Sequence, residues 1–232
     1  MEQLDIILCA HVDTARQNPV RGKLWSALQG QIFAIMQRVA WLLVILALFQ
    51  LLLFPLPQPV SYAVGLVCSL FALFLTTMDA YEQIGHKGLY VGGANDNASG
   101  VAVALAVAHT LAAESPALRI GVLLTSAEET GMWGARAFAH ELVEHSLDVP
   151  VLVLDQVGAG SQLCLVSRVG QFHPLRSDRR LIAALQRADP SAIELQYHYR
   201  NGDFSEFLRA GIPALSLETS GSVQAKAAYH RL

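Results

Sequence analysis

Short apolar runs and longer helical patterns alternate along most of the chain. Predicted strands occupy 4–10, 119–125, 149–154, 163–166, 193–197 and 214–217. The first of them is a largely apolar run, which is typical of a strand buried on both faces of a sheet. Stretches that favour helices lie between them, at 98–113, 134–145, 177–188 and 204–210. The alternation predicts an α/β domain, with a mostly parallel sheet covered by helices on both faces.

One stretch breaks this pattern, because residues 39–78 contain no Asp, Glu, Lys or Arg. A cluster of Pro55, Pro57 and Pro59 divides it, and no helix continues through such a cluster. As a helix, residues 60–78 would span roughly 30 Å, the thickness of a bilayer's hydrocarbon core. We therefore predict a two-helix transmembrane hairpin over 31–87, inserted after the first strand of an α/β domain formed by 1–30 and 88–232. The alternative is a pair of helices buried within a soluble domain.

Positive charges flank the predicted hairpin on the side of the α/β domain. The proline turn carries no positive charge, whereas the flanks contain Arg16, Arg21, Lys23, Arg38 and Lys87. Because positive flanks are typical of the cytoplasmic side of a membrane, we expect the α/β domain to face the cytoplasm. The three cysteines lie far apart in apolar runs, which agrees with a reducing compartment.

The composition narrows the classes of partner. Of the 232 residues, 53% are hydrophobic and only 15% are charged, and the formal net charge is −3. The apolar content excludes an intrinsically disordered chain, and the absence of a basic excess argues against a nucleic-acid partner. Because a transmembrane hairpin is predicted, the expected partner is the lipid bilayer. The sequence indicates no oligomeric state.

Acidic and histidine residues fall where predicted strands end. His11 and Asp13 follow the first strand, and Asp155 follows the third. Glu128 and Glu129 come shortly after the second strand, and a loop before a helix carries Asp96. Ligands of open α/β sheets bind outside the carboxyl ends of the strands, so we expect these side chains to converge. Gathered carboxylates repel one another unless a cation is present, and an imidazole beside them favours zinc.

Several segments resemble, in order, the motifs of the zinc aminopeptidase family, which includes glutamate carboxypeptidases and glutaminyl cyclases. The octet GANDNASG is the most specific of them. The segments are CAHVDT at 9–14, GANDNASG at 93–100, AEETG at 127–131, LDQVG at 154–158, NGDF at 201–204, GIPA at 211–214 and YH at 229–230. This resemblance covers nearly all of the chain outside the predicted hairpin.

The resemblance implies a peptide substrate and two zinc ions bridged by one carboxylate. Carried over by motif, His11 and Asp155 hold one ion, Glu129 and His230 hold the other, and Asp96 bridges both. Glu128 is then the general base that takes a proton from the metal-activated water. Asp13 fixes the tautomer of the ligating imidazole. We therefore expect a membrane-anchored dizinc aminopeptidase.

The sequence departs from the family pattern in ways that leave two alternatives open. His11 and Asp96 are 85 residues apart because of the insertion, Phe204 stands where the family commonly has a histidine, and Gln156 follows Asp155 where an apolar residue is common. A one-zinc enzyme similar to the glutaminyl cyclases would use a similar residue set. An inactive, peptidase-like membrane interaction protein is the other alternative, although Glu128, the base, is present.

Overall fold

The computed structural model describes residues 4–15, 35, 38–49, 57–84, 90–115, 117–170, 173–198 and 200–220. The chain divides into two compact units. The first consists of Met1–Ala15 with Tyr90–Leu232, and the second of Arg16–Leu89. The limits of the inserted segment that the sequence predicts, residues 31 and 87, remain predictions.

A seven-stranded sheet forms the centre of the first unit. Its strands are β1 (Ile6–His11), β2 (Ile120–Thr125), β3 (Val151–Leu154), β4 (Gln162–Val169), β5 (Leu175–Arg176), β6 (Ile193–Tyr197) and β7 (Ala214–Ser220). The order is β2-β1-β3-β7-β4-β5, and β6 also pairs with β4. The pairs β1·β2, β1·β3, β3·β7 and β4·β6 are parallel, while β4 is antiparallel to β7 and β5.

Helices cover both faces of this sheet, as the sequence predicts. In chain order after β1, the helices of this unit are α2 (Ser99–Glu114), α3 (Trp133–Glu144), α4 (Arg179–Ala188) and α5 (Phe204–Arg209), while α1 (Gln58–Ile84) belongs to the second unit. On one face, Ala139 of α3 and Phe207 of α5 pack in a cluster with Ile7 and Val151. On the other face, Ala104 of α2 packs with Leu8, and α4 contributes to a third cluster.

The sheet is mixed, and the antiparallel strand is the part that the hydrophobic pattern did not predict. Parallel neighbours require a long crossover connection, usually a helix. The short segment 155–161 leads from β3 into β4 without one, and β4 then runs antiparallel to β7. β5 has only two residues and does not appear among the predicted strands.

Strand β1 lies in the interior of the sheet, and its sequence is apolar on both faces. Residues 7–11 are all buried, with β2 on one side and β3 on the other. β1 therefore carries its last residue, His11, into a covered position at the carboxyl end of the sheet.

A backbone hydrogen bond closes the first unit where the second is inserted. The amide of Val91 donates to the carbonyl oxygen of Ala15 at 3.1 Å. The two chain segments that border the insertion are thus joined within the first unit.

Exposed apolar side chains dominate the part of the second unit that the structure describes. Residues 38–49 are helical, and α1 is 27 residues long. Across the described parts of the chain, no helix combines the length and apolar character needed to cross a membrane. The predicted transmembrane hairpin is therefore not supported by the structure. Of its predicted proline turn, residues 55 and 56 lie outside the described residues, whereas Pro59 lies in the first turn of α1.

Candidate metal centre

The side chains of His11, Asp96 and Asp155 meet at the carboxyl ends of β1 and β3. His11 ends β1, and Asp155 comes directly after β3. Asp96 comes from an irregular turn, Ala94–Ala98, that precedes α2. His11 Nε2 lies 3.2 Å from Asp96 Oδ1 and 3.6 Å from Asp155 Oδ1. One potential ligand atom from each residue lies within 4.8 Å of the other two.

The electrostatics of this group favour a positive charge at its centre. Burial by itself lowers the pKa of His11, but the carboxylates of Asp155 and Asp96 raise it to about 12. Within the described ranges, His11 Nε2 and Asp155 Oδ1 are buried atoms without a hydrogen-bond partner. Unsatisfied buried polar atoms of this kind are rare in proteins, and one nitrogen and two carboxylate oxygens are ligands that zinc accepts. The residues present therefore fit a divalent cation.

Asp13 connects the imidazole to the loop that follows β2. The carbonyl oxygen of Asp13 lies 3.0 Å from His11 Nδ1, while its Oδ1 is 3.6 Å from the same nitrogen. Its carboxylate oxygens accept hydrogen bonds from the backbone amides of Glu128 and Glu129, both at 3.1 Å. The predicted contact with the imidazole is therefore made mainly by the backbone, and the carboxylate fixes the Glu128–Glu129 loop.

Glu128 lies within the negative field of this centre. Burial raises the pKa of Glu128 to about 8; His11 opposes this shift, whereas Asp155, Asp203 and Glu129 increase it. A carboxyl group in this environment binds a proton readily, which is the behaviour needed in a group that accepts one from water.

The octet 93–100 holds two of the acidic loops together. Asn97 Nδ2 donates to the carbonyl oxygen of Leu154 at 2.8 Å. Asn97 Oδ1 accepts from the amides of Gly100, at 3.1 Å, and Gln156, at 3.2 Å. Residues on both sides of Asp155 therefore bind a single side chain, which is itself adjacent to Asp96.

Two further residues of the octet extend this connection. Asn95 Oδ1 accepts from the amide of Gly158 at 2.9 Å, and Ser99 Oγ accepts from that of Val157 at 3.1 Å. Ser99 Oγ also donates to the carbonyl oxygen of Asn95 at 2.7 Å. The polar residues of the octet thus serve mainly to bind the loop that carries Asp155.

Glycine is required in the octet where the two segments come closest. A Cβ on Gly100 would lie less than 3.0 Å from the carbonyl oxygen of Leu154. Gly93 has a φ of +63°, a left-handed conformation that favours glycine. These glycines allow the Asp96 turn to approach the end of β3.

Asp203 is a second buried carboxyl group near the centre. Thr125 Oγ1, at the end of β2, donates to Asp203 Oδ2 at 2.5 Å. Burial raises the pKa of Asp203 to about 6, whereas the hydrogen bond from Thr125 lowers it. Asp203 precedes α5. An ion pair at 2.9 Å between Arg136 of α3 and the buried Glu206 of α5 connects these two helices.

The structure brings together three of the predicted metal ligands and fixes the loop that carries a fourth. His11, Asp96 and Asp155 form the group, and Glu129 follows Glu128 in the loop bound by Asp13. The fifth predicted ligand, His230, lies outside the described residues.

Sequence reasoning did not assign roles to Asn97, Thr125 and Asp203. The sequence could have indicated a structural role for Asn97, because an amide side chain inside a loop of glycines and acids is suited to bind backbone groups. Asp203 and Thr125 are 78 residues apart, so no local pattern links them.

Comparisons with known proteins agree with the motifs. Residues 77–232, more than half of the chain, match the family described as Peptidase family M28, which confirms the resemblance to a peptidase family. Similar solved structures include an aminopeptidase from Aneurinibacillus sp. strain AM-1, at 26% identity and a TM-score of 0.47, covering 61% of this chain and 34% of that one. The zinc aminopeptidase BSAP from Bacillus subtilis has 25% identity, a TM-score of 0.44 and coverages of 59% and 34%.

A third similar structure is the LapA aminopeptidase of Legionella pneumophila. It is 20% identical, with a TM-score of 0.45, and the match covers 56% of this chain and 37% of that one. The chain thus spans little more than a third of the length of these relatives.

Replacing Gly100 by alanine is expected to destabilise the fold, although alanine normally favours a helix by about 1 kcal/mol. The added Cβ would overlap the carbonyl oxygen of Leu154, and such overpacking costs about 1–3 kcal/mol. We expect a lower urea midpoint for Gly100→Ala. Gly92→Ala is the matched control, since a Cβ there meets nothing within 4 Å. Equal midpoints for the two variants would contradict the close approach.

Proposed function

The chain belongs to peptidase family M28, and from this membership we propose that it is a zinc-dependent metallopeptidase that removes residues from the amino terminus of peptides. The observation that carries the proposal is the convergence of His11, Asp96 and Asp155. A cluster of one imidazole and two carboxylates, with a further carboxyl group held beside it, is the donor set of a hydrolytic zinc site.

We propose two zinc ions in this site. His11 and Asp155 would hold the first, Glu129 and His230 the second, and Asp96 would contact both. The unpartnered His11 Nε2 and Asp155 Oδ1 support the first position. For the second, the support is the motif order and the fixed loop that bears Glu129.

Zinc bound at this site would polarise the scissile carbonyl group and lower the pKa of a water molecule. The Glu128 carboxylate would accept a proton from the attacking water and deliver it to the departing amine. Asp13 holds the backbone on which Glu128 is carried, so the base stays beside the ligands. His11 contacts the Asp13 carbonyl oxygen through Nδ1, which leaves Nε2 directed at the two aspartates.

Changing Glu128 to glutamine is expected to lower kcat by about 10²–10⁴-fold, the usual contribution of a general base. The amide has nearly the same shape but accepts no proton, so zinc content should be retained. Hydrolysis of leucyl-p-nitroanilide and elemental analysis of the same preparations check both points. Glu144→Gln, at the end of α3, is the control and should behave as wild type. Near wild-type activity of Glu128→Gln would contradict the assigned mechanism.

Zinc content is the measurement that separates the alternatives for the metal site. We expect two zinc ions per chain, counted by mass spectrometry after removal of loosely bound metal. Asp155→Asn should lose one of them, because it replaces a charged ligand by a neutral one. A value of one in the wild type would favour the cyclase-like alternative, and a value of zero the inactive protein.

We also propose that the second unit attaches the protein to a lipid bilayer, with the first unit on the cytoplasmic side. Support comes from the charge-free stretch 39–78 and from large apolar side chains that are about half exposed or more. These are Trp41, Leu42, Ile45, Leu66, Leu70, Leu73 and Phe74. An exposed apolar surface of this kind is unusual in a monomer surrounded only by water.

Two lysines introduced into this surface are expected to weaken membrane attachment. Each lysine costs about 2.5–3.5 kcal/mol in an apolar membrane environment, so Leu70→Lys with Leu73→Lys should shift the chain from the alkaline-washed membrane pellet to the supernatant. Leu105→Lys, on an exposed leucine of α2, is the control. Recovery of the wild-type chain in the supernatant would contradict attachment. Protection of the first unit from protease added to the cytoplasmic face would contradict the orientation.

A further inference from the structure

A row of hydrogen-bond donors crosses the sheet at strands β5, β4 and β6. Arg168 of β4 is paired with Arg176 of the antiparallel β5 and, on its other side, with Gln196 of the parallel β6. Paired positions of neighbouring strands place their side chains on the same face of the sheet, with about 5 Å between the backbones. The Arg168 row, defined as these three residues, therefore gathers two guanidinium groups and one amide.

The Arg168 row lies on the face of the sheet that carries α4. The next pair along the two antiparallel strands is Val169 with Leu175, and both residues pack in the cluster that α3 and α5 form on the opposite face. Successive residues of a strand point to opposite faces. Arg168 and Arg176 therefore point to the side of α4.

The row is also at the opposite end of the sheet from the metal centre. His11 and Asp155 lie at the carboxyl ends of β1 and β3, and β7 is parallel to β3. Because β4 is antiparallel to β7, its carboxyl end lies at the amino ends of those strands. Arg168 is the last residue but one of β4, so the row is separate from the proposed zinc ligands.

Arg168 carries a buried donor that the described part of the chain leaves unsatisfied. Its Nε is a buried atom without a hydrogen-bond partner, although the side chain as a whole is half-buried. A buried donor without an acceptor costs free energy, and such atoms are rare in proteins. An acceptor supplied from outside the chain would remove this cost.

The two acids next to the row in the chain bind arginines of α4 instead. Asp178 makes an ion pair with Arg180 at 2.8 Å. Glu194 makes an ion pair with Arg179 at 3.0 Å. Both carboxylates are thus engaged by guanidinium groups outside the row.

The row therefore holds two positive charges without an ion-pair partner. Across the ranges that the structure describes, the ion pairs of arginine involve residues other than Arg168 and Arg176. Like charges at directly opposed positions destabilise a sheet. A bound anion would offset this repulsion and supply the acceptor that Arg168 Nε lacks.

Charge and geometry favour a phosphate group over a carboxylate as this anion. A guanidinium presents paired N–H donors that match the oxygens of a phosphate, and a glutamine amide adds further donors. A phosphate monoester carries a charge of about −1.5 to −2 at pH 7. This charge balances two guanidinium groups, whereas the single charge of a carboxylate balances one.

We propose that the Arg168 row binds a phosphate monoester group. Two sources present this group: a soluble phosphate ester, or the headgroup of an anionic lipid. Both offer the same oxygens and the same charge to the two guanidinium groups. The proposed site is independent of the peptidase function, because it shares no residue with the metal centre.

Calorimetric titration of the full chain with inorganic phosphate, at an ionic strength held constant with sodium chloride, tests the site. We expect saturable binding, with a Kd that rises about ten- to hundredfold in Arg168→Gln and in Arg176→Gln, the effect of losing hydrogen bonds to a charged group. Arg187→Gln, in the last turn of α4, is the control and should bind as the wild type does. The absence of saturable binding would overturn the proposal. So would an isotherm identical in the wild type and both variants, which phosphate held only at the metal centre would give.

The two arginines differ in how their substitution affects the fold. Arg168 is half-buried, so the urea midpoint of its variant is measured alongside binding. Arg176 is exposed, and Arg176→Gln therefore keeps the test decisive if Arg168→Gln does not fold. Arg176→Lys retains the charge without the paired donors and should give an intermediate Kd.

Two further ligands distinguish the sources of the phosphate group. Glycerol 3-phosphate and dihexanoyl phosphatidic acid carry the same phosphate monoester, but only the second has acyl chains. A Kd at least tenfold lower for dihexanoyl phosphatidic acid identifies a lipid headgroup as the source, and a smaller difference identifies a soluble ester. In either case the binding should weaken in Arg176→Gln. Binding of neither ligand, or equal binding to the wild type and Arg176→Gln, would overturn the proposal.

Discussion

The candidate centre depends on the hydrogen bonds that the amide side chain of Asn97 makes. This side chain binds the carbonyl oxygen that precedes Asp155 and the amide that follows it, and it stands next to Asp96 in the chain. Two aspartates that would otherwise repel each other are therefore held by a neutral group that makes three hydrogen bonds to backbone atoms. The amide adds no net charge to the acidic group and leaves the carboxylate oxygens available, whereas a salt bridge would occupy them.

Repulsion among the acids is the main electrostatic cost of this arrangement. The buried His11 is held between two carboxylates, and its preference for the positive form shows how strongly the surroundings favour a cation. The fold withstands this cost because the elements that carry the acids are fixed elsewhere. β1 is paired on both sides, and Asp13 satisfies two backbone amides of the neighbouring loop. The loops that carry Asp155, Glu128 and Glu129 are thus held by hydrogen bonds between side chains and backbone atoms.

The sequence predicted those features that depend on local pattern or on strand ends. Apolar runs located β1, β2, β3 and β7, and the positions of His11 and Asp155 at their carboxyl ends followed from the general geometry of parallel sheets. Other features depend on contacts between distant residues. The antiparallel course of β4 follows from a short connection whose direction no periodicity encodes, and the pairing of Thr125 with Asp203 exists only in the folded chain. The charge-free stretch predicted a membrane hairpin from composition alone, and composition does not determine how a helix is placed or where it ends.

The hydrogen bond between Val91 and Ala15 has a consequence for how this fold accommodates a large insertion. Closing a loop costs entropy that grows only with the logarithm of its length, about 0.6 kcal/mol for each doubling. Once the two ends are joined within the first unit, the free energy of that unit depends little on what lies between them. The chain between Ala15 and Val91 is therefore a site that tolerates insertions. Segments of very different size and chemistry can be exchanged there while the sheet and its acidic edge keep their geometry.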